Sequence, residues 1–149
     1  MLVNTIQKGI VIDHITAGQG AKIIEYLDIN MKENTIAFIM NATSKKHGRK
    51  DIVKIENVID IDMAVLGLID HNATVNVIEH GEVVRKIDLI LPNSVTNVIK
   101  CKNPRCVTSV ETNAAHLFHL IDEVNKEYRC EYCDEIVSMK EGSQHEIMH

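Results

Sequence analysis

Aromatic residues are scarce in this chain of 149 residues, which has no tryptophan, three tyrosines and two phenylalanines. Proteins that hold single-stranded nucleic acids stack the bases on aromatic side chains, so this scarcity argues against such a module. A net charge of −5 at pH 7 also disfavours non-specific binding to phosphate backbones. Hydrophobic residues still make up 45% of the chain, and the predicted core therefore consists of Ile, Val, Leu, Met and Ala.

Long apolar runs and a secretory leader are both missing. No apolar stretch approaches the roughly 18 residues of a membrane span, so the sequence predicts a soluble, cytoplasmic protein without a membrane partner. The segment Gly18-Gln-Gly20 lacks the third glycine of a dinucleotide-binding loop. No serine, cysteine or paired-carboxylate arrangement with catalytic spacing is present either. The sequence predicts a protein without catalytic residues, which is not an enzyme.

Four cysteines form two close pairs, Cys101 with Cys106 and Cys130 with Cys133, separated by residues 107–129. This pattern is typical of two short loops that bring four thiolates around one ion. Tetrahedral thiolates favour Zn²⁺ in a closed, structural site, and iron in a rubredoxin-like centre uses the same ligands. Two disulfides are disfavoured by the absence of a leader. A redox-active pair would need a βαβ context that residues 127–137 do not resemble.

One divalent ion and four thiolates carry a net charge of about −2, which requires compensation nearby. Lys100, Lys102, Arg105 and Arg129 lie beside the cysteines in the sequence, and we expect them to offset this charge. Few large apolar residues lie between residues 95 and 140, so metal binding is predicted to supply most of the folding energy of this segment, on the order of 10 kcal/mol.

The first 92 residues alternate between strand and helix patterns. Alternating apolar residues predict strands over residues 5–12, 35–42, 51–56, 73–79 and 82–87. Helical spacing predicts one helix from Thr16 or Gly18 to about Leu27, and another over residues 60–69 with Asp60 or Asp62 as its N-cap. Asp13-His14 is predicted to end the first strand, residues 43–50 to form a loop, and His80-Gly81 to form a hairpin turn. This order predicts a ferredoxin-like antiparallel sheet that carries two helices on one face and leaves the other free for a ligand or a partner.

The segment Leu91-Pro92-Asn93-Ser94 is predicted to be a linker because it places proline and turn-forming residues between apolar runs. The predicted domains are residues 1–92 and residues 95–149. In the second domain, short strands are predicted over residues 96–100, 107–112 and 116–121, with a turn over 122–125. Residues 116–124 fit a helix as an alternative. The predicted fold class is α+β, with a small all-β domain around the four cysteines.

Three lysines lie on neighbouring predicted strands, namely Lys50, Lys54 and Lys86. Ammonium groups in this arrangement can hold a triphosphate, whereas the alternative interpretation is an ordinary exposed sheet face. The pair Asp13-His14 can orient a ribose or a base, or simply mark a turn. Asn76 lies inside a strand, where an amide needs a hydrogen-bond partner.

The residues match a known family most specifically in the segments 9–14 (GIVIDH), 48–57 (GRKDIVKIEN) and 73–78 (ATVNVI), and in the cysteine spacing. The chain resembles the regulatory chain of bacterial aspartate carbamoyltransferase along essentially its whole length. The resemblance implies a non-catalytic subunit with an N-terminal nucleotide-binding domain and a C-terminal domain holding one structural Zn²⁺. It also implies homodimers formed through the N-terminal sheets, docking of the zinc domain on the catalytic chain, and the effectors CTP, UTP and ATP.

The resemblance also implies site residues by position. The implied nucleotide contacts, beside the backbone of Thr5 and Ile6, are Val11, Asp13, His14, Lys50, Lys54, Asn76, Ile78, Val83 and Lys86. The implied contacts with the catalytic chain are Asn103, Arg105, Asp134 and Glu135. The chain departs from the family pattern at Gly81, where a tyrosine is expected, at Arg105 in place of asparagine, and at Glu135 in place of lysine. Alternative interpretations from the residues alone are a zinc-ribbon module that binds nucleic acid and a stand-alone small-molecule sensor.

Overall fold

A computed structural model describes residues 7–30, 34–45, 48–58, 61–140 and 147 of the chain. The chain divides into two compact units, Met1–Ile90 and Leu91–His149. Within the described residues, no helix has both the length and the apolar composition needed to cross a membrane.

The first unit contains a five-stranded sheet and two helices. In chain order the elements are β1 (Gly9–Thr16), α1 (Gly20–Asn30), β2 (Ile36–Ser44), β3 (Gly48–Glu56), α2 (Met63–Ile69), β4 (Thr74–Glu79) and β5 (Glu82–Asp88). The strands lie in the order β2-β3-β1-β4-β5, and every neighbouring pair is antiparallel. The predicted ferredoxin-like arrangement is confirmed, with β5 added beside β4.

One face of this sheet forms the core of the unit. Because side chains alternate along a strand, Ile10 and Ile12 of β1 point to the same side and are fully buried. The buried residues of this core also include Val53, Ile55, Val75 and Val77 from the sheet and Ile23, Leu27, Val65, Leu66, Leu68 and Ile69 from the helices. The alternate residues of β1, β3 and β4 therefore lie on the opposite face, away from the core.

The strand β1 does not end at Asp13-His14, and this prediction was wrong. The strand continues to Thr16 through a bulge between Ile12 and Ile15, where His14 has a φ of 57°. The predicted loop over residues 43–50 was also wrong in extent. Strands β2 and β3 pair as far as Ser44 and Gly48, while Lys46 and His47 lie outside the described residues. Backbone pairing with a neighbouring strand thus outweighs the turn preference of these polar residues.

The buried carboxylate of Asp51 joins three parts of the first unit. Its Oδ2 accepts hydrogen bonds from the backbone N–H groups of Gly18 and Gly20, at 3.0 Å each, and its Oδ1 accepts one from Asn41 N–H at 2.9 Å. Asp51 is only 1% exposed. A Cβ on Gly20 would lie 2.7 Å from this Oδ2 and 2.6 Å from Phe38 Cε1, so the position requires glycine. These contacts explain why α1 begins at Gly20 and not at Thr16 or Gly18.

The helix α2 begins after Asp62, one of the two residues predicted as its N-cap. Asp62 is its N-cap and accepts hydrogen bonds from the N–H groups of Ala64 and Val65, whereas Asp60 lies outside the described residues.

The second unit is a four-stranded antiparallel sheet with one helical turn. Its elements are β6 (Ser94–Thr96), α3 (Val107–Val110), β7 (Leu117–Asp122), β8 (Glu127–Cys130) and β9 (Ile136–Ser138), with the strands in sequence order across the sheet. The strand predicted over residues 107–112 was wrong because α3 occupies that stretch. The strand predicted over residues 96–100 was also wrong, since β6 ends at Thr96, before Asn97 with its φ of 57°. The strand interpretation of residues 116–121 is confirmed by β7, and the helical alternative is excluded.

Tyr128 and Phe118, both fully buried, are the largest side chains in the core of this unit. The hydroxyl of Tyr128 donates a hydrogen bond of 2.5 Å to the backbone carbonyl of Pro92. Burial raises the pKa of Tyr128, so the hydroxyl keeps its proton for this bond. The contact holds the segment before β6 against β8.

We expect Tyr128→Phe to lower the free energy of unfolding of the second unit by about 1 kcal/mol, because the Pro92 carbonyl loses its donor. Chemical denaturation of the metal-loaded chain, followed by circular dichroism, measures the change. Tyr132→Phe is the matched control, since Tyr132 is 50% exposed. Equal stabilities for the two variants would contradict the prediction.

Candidate metal centre and ligand-binding face

The four cysteines converge in the second unit. Their Sγ atoms all lie within 4.8 Å of one another, with 3.6 Å between Cys101 and Cys133 and 3.7 Å between Cys106 and Cys130. A tetrahedral zinc site with Zn–S bonds of about 2.3 Å has sulfur atoms about 3.8 Å apart, so the cluster matches the size of a thiolate metal site. Cys133 is half-buried and the other three cysteines are buried, which fits a closed structural site.

The local backbone turns N–H groups toward the sulfur atoms. Asn103 donates to Cys101, Thr108 to Cys106, and both Tyr132 and Cys133 donate to Cys130. Burial raises the pKa of the Cys101 and Cys130 thiols. Burial also opposes ionisation of Cys106, but the hydrogen bonds from Thr108, together with those from Cys133 and Cys130, outweigh it and lower the pKa of that thiol to about 7. The site thus favours thiolate at Cys106, and a bound cation would stabilise the other three thiolates.

The cations beside the cysteines are partly engaged with acids. Lys102 Nζ lies 3.8 Å from Glu135 Oε1, and Arg129 donates to Asp134 Oδ1 at 2.6 Å. The nearest charged partners of Lys102 and Arg129 are thus carboxylates, and their compensation of the site's negative charge stays a prediction. Lys100 and Arg105 are exposed.

The four residues implied as partner contacts lie beside the metal ligands. Asn103 holds its own loop together, since its Oδ1 accepts from Arg105 N–H and its carbonyl accepts from the Ser109 hydroxyl. Asp134 has a φ of 63° and is largely exposed, and Glu135 joins the second cysteine loop to Lys102 in the first. These four residues flank the metal ligands in the two cysteine loops, which the contact between Lys102 and Glu135 joins.

On the first unit, four of the implied nucleotide contacts form one row across the sheet. Lys54 pairs with Val11, Val11 pairs with Asn76, and Asn76 pairs with Lys86. Directly paired residues have their side chains on the same face, and Val11 alternates with the buried Ile10 and Ile12, so this row lies opposite the core. Lys54 and Lys86 are separated by three strand spacings, about 14 Å. Among the described residues, neither lysine forms an ion pair.

A second group lies beside this row at the bulge of β1. Lys50 Nζ lies 3.0 Å from Asp13 Oδ1, and the Nδ1 of His14 lies 3.2 Å from the hydroxyl of Thr74. Burial raises the pKa of Asp13, but the hydrogen bonds from Lys50 and from His14 N–H outweigh it and lower the pKa, so the carboxylate stays ionised at neutral pH. The sequence interpretation missed Thr74, although its place two residues before Asn76 puts it on the same face.

On the other side of the row, Gly9 pairs with Ile78 and Ile78 pairs with Val83, which gives the face an apolar edge. The His80-Gly81 turn closes this corner, and Gly81 N–H donates to the Gln7 carbonyl at 2.9 Å. A cavity of about 330 Å³ beside the turn is lined by Gln7, Lys8, Glu79 and His80. The implied contacts at Thr5 and Ile6 lie outside the described residues.

Comparison with known proteins gives matches to both units. A family model described as aspartate carbamoyltransferase regulatory chain, allosteric domain, matches residues 1–90, and one described as the metal binding domain of the same chain matches residues 93–143. The aspartate carbamoyltransferase regulatory chain of Clostridium acetobutylicum is 58% identical over 136 residues, which cover 91% of this chain and 93% of that protein. The chains so named from Clostridium botulinum (strain Hall) and Bifidobacterium longum are 54% and 49% identical, and cover 93% and 91% of this chain and 94% and 97% of their own lengths.

Proposed function

The chain belongs to the family of aspartate carbamoyltransferase regulatory chains, with an allosteric and a metal-binding domain, and we propose that it is a non-catalytic subunit that binds nucleotide effectors and passes their effect to a catalytic chain. The observation that supports effector binding best is the row Lys54–Val11–Asn76–Lys86 on the sheet face opposite the core. Two lysines that form no ion pair with any described residue lie at the ends of a row that also offers an amide, and this arrangement suits a polyphosphate with a sugar and a base.

The proposed ligands are CTP, UTP and ATP. Lys54 and Lys86 contact the phosphates as point donors, and the carboxylate of Asp13 accepts from the ribose hydroxyls. Val11, Ile78 and Val83 form an apolar floor, while His14, Lys50 and Asn76 supply polar groups around it. Main-chain carbonyls accept from the exocyclic amino group of the base in CTP and ATP.

All three nucleotides share the phosphate contacts, so this part of the binding energy cannot distinguish them. An effector shifts the equilibrium between two states of the assembled enzyme only through its different affinity for those states, and typical coupling energies are about 1–3 kcal/mol. The difference between effectors must therefore come from the base.

The four cysteines, in this proposal, hold one structural Zn²⁺ per chain. When bound, the ion supplies a tetrahedral cross-link among thiolates and no open coordination position for chemistry. The surface of Asn103, Arg105, Asp134 and Glu135 then docks on the catalytic chain. Thiolate ligands also suit a reducing compartment, which supports a cytoplasmic location.

We also propose that two copies pair through their N-terminal sheets. Among the described strands, β2 lies at an edge of the sheet, and an edge strand can pair with a strand of another chain. The alternative of a zinc-ribbon module for nucleic acid is weakened because Lys102 and Arg129 have carboxylate partners.

We expect Lys86→Ala to weaken the binding of CTP and ATP alike, by about tenfold, because it removes a charge-assisted contact with the phosphates that both share. Isothermal titration calorimetry on the full chain measures both dissociation constants. Arg85→Ala is the matched control, since Arg85 is the preceding exposed cation on β5 and pairs with the core-facing Val77. Loss of affinity for only one nucleotide, or an equal loss in the control, would count against this site.

The function itself is tested by assembling the chain with the catalytic chain of the same organism. Carbamoyl transfer to aspartate is measured with and without CTP, UTP and ATP, for the wild type and for Lys86→Ala. The proposal predicts that nucleotides change the rate of the wild-type assembly and that the variant assembly keeps its basal rate but needs higher nucleotide concentrations. No assembly, or an assembly indifferent to all three nucleotides, would refute it.

A further inference from the structure

Thr108 lies in the turn that follows the second cysteine, and its side chain points back at that ligand. The Thr108 hydroxyl donates a hydrogen bond of 3.1 Å to Cys106 Sγ. Thr108 is 6% exposed and Cys106 is 2% exposed, so water does not compete for either atom. A buried threonine hydroxyl could instead have bonded a backbone carbonyl in its own turn, as serine and threonine often do in helices.

The neighbouring hydroxyl shows that alternative. Ser109, the next residue of α3, donates to the backbone carbonyl of Asn103 at 2.7 Å and holds the first cysteine loop closed. The two adjacent hydroxyls therefore have different acceptors, one a sulfur and one a carbonyl. This difference separates an effect on the ligand from an effect on the loop.

The negative charge of the proposed metal site requires compensation, to which this hydrogen bond contributes. Four thiolates around a divalent ion leave a net charge of about −2 in a largely buried place. Lys102 and Arg129, two of the nearby cations, are engaged with Glu135 and Asp134. Hydrogen bonds to the sulfur atoms are then an important means of spreading the charge, and groups of this kind also fix the orientation of a ligand.

We propose that Thr108 is a positioning residue for the metal, and that its hydroxyl orients and stabilises the Cys106 thiolate as a ligand. This inference rests on the proposal that the four cysteines hold zinc. Thr108 does not contact the ion and takes no part in nucleotide binding.

The test uses the full chain as wild type, Thr108→Val, Thr108→Ser and Ser109→Ala. Zinc affinity is measured by competition with a chromogenic chelator, and the cobalt-substituted proteins are compared by their sulfur-to-cobalt charge-transfer absorption. Valine keeps the shape and the backbone N–H of threonine but removes the donor. We expect about tenfold weaker zinc binding in Thr108→Val, together with a shift of the charge-transfer band to lower energy, because the sulfur loses the proton that withdraws charge. Thr108→Ser should match the wild type, and Ser109→Ala should leave the band unchanged.

The outcomes separate the two proposals. A wild-type chain that binds no zinc would overturn the proposed metal site itself. A wild type that binds zinc beside a Thr108→Val with unchanged affinity and an unchanged band would overturn only the role of Thr108. Equal losses of zinc affinity in Thr108→Val and Ser109→Ala would show that both changes act through the stability of the loop, and would also overturn the role of Thr108. If Thr108→Val does not fold with zinc, Thr108→Ala replaces it; failure of both while Thr108→Ser keeps the wild-type affinity and band would support the role of the hydroxyl, and failure of Thr108→Ser as well would overturn it.

Discussion

Replacing Cys106 with serine, or stripping the metal with a chelator, is expected to unfold residues 91–149 and to leave the sheet of residues 9–88 folded. The second unit has a small core, in which Phe118 and Tyr128 are the largest buried side chains. Small domains of this kind usually depend on a metal or on disulfides, and thiolate zinc sites supply on the order of 10 kcal/mol in zinc peptides. The first unit has its own apolar core on one face of its sheet, so we expect it to stay folded without the metal.

Hydrogen exchange on the full chain, with and without chelator, measures this effect segment by segment. Amide protection should disappear over β7 and β8 and remain over β1 and β3, and added zinc should restore it in the wild type but not in the variant. Nucleotide affinity of the first unit is the internal control, since it should survive the loss of metal. Unchanged protection in β7 and β8 without metal would contradict the prediction.

Asp51→Ala is expected to destabilise the first unit by about 3 kcal/mol, because it removes a buried acceptor and leaves three backbone N–H groups, one of them on the buried Gly20, without their partner. The carboxylate accepts hydrogen bonds from the N–H groups of Gly18, Gly20 and Asn41. Its loss therefore affects the start of α1 and the irregular pairing of β2 with β3 between Ile39 and Ala42. The measurement is chemical denaturation of the full chain, with the first unit followed by hydrogen exchange.

Two variants serve as controls for this prediction. Asp62→Ala removes an exposed N-cap of α2 and should cost only about 1 kcal/mol. Asp51→Asn keeps the shape, but its amide nitrogen must face at least one N–H donor, so an intermediate loss is expected. A cost for Asp51→Ala no larger than that for Asp62→Ala would show that these hydrogen bonds do not hold the unit together.

Lys50 and Asp51 show which structural features the local sequence pattern predicts and which it does not. Alternation along β3 places Lys50 and Asp51 on opposite faces, and this was predictable. Lys50 forms an ion pair with Asp13, whereas Asp51 accepts a hydrogen bond at the start of α1. These partners depend on which strands and loops lie beside β3. The end of β1 was misplaced for the same reason, since its pairing with β3 continues beyond the bulge and overrides the turn preference of Asp13-His14.

The sequence by itself determined the alternating strands of the first unit, the two helices, and the four cysteines as one ligand set, because residue spacing along the chain carries that information. Only the tertiary structure decided that Lys54, Val11, Asn76 and Lys86 form one row. It also decided that Lys102 and Arg129 form ion pairs with Glu135 and Asp134, and that the hydroxyl of Thr108 donates to the sulfur of Cys106. Strand register and ion pairing join residues far apart in the chain. They are selected by burial and backbone pairing over the whole unit, which no local pattern records.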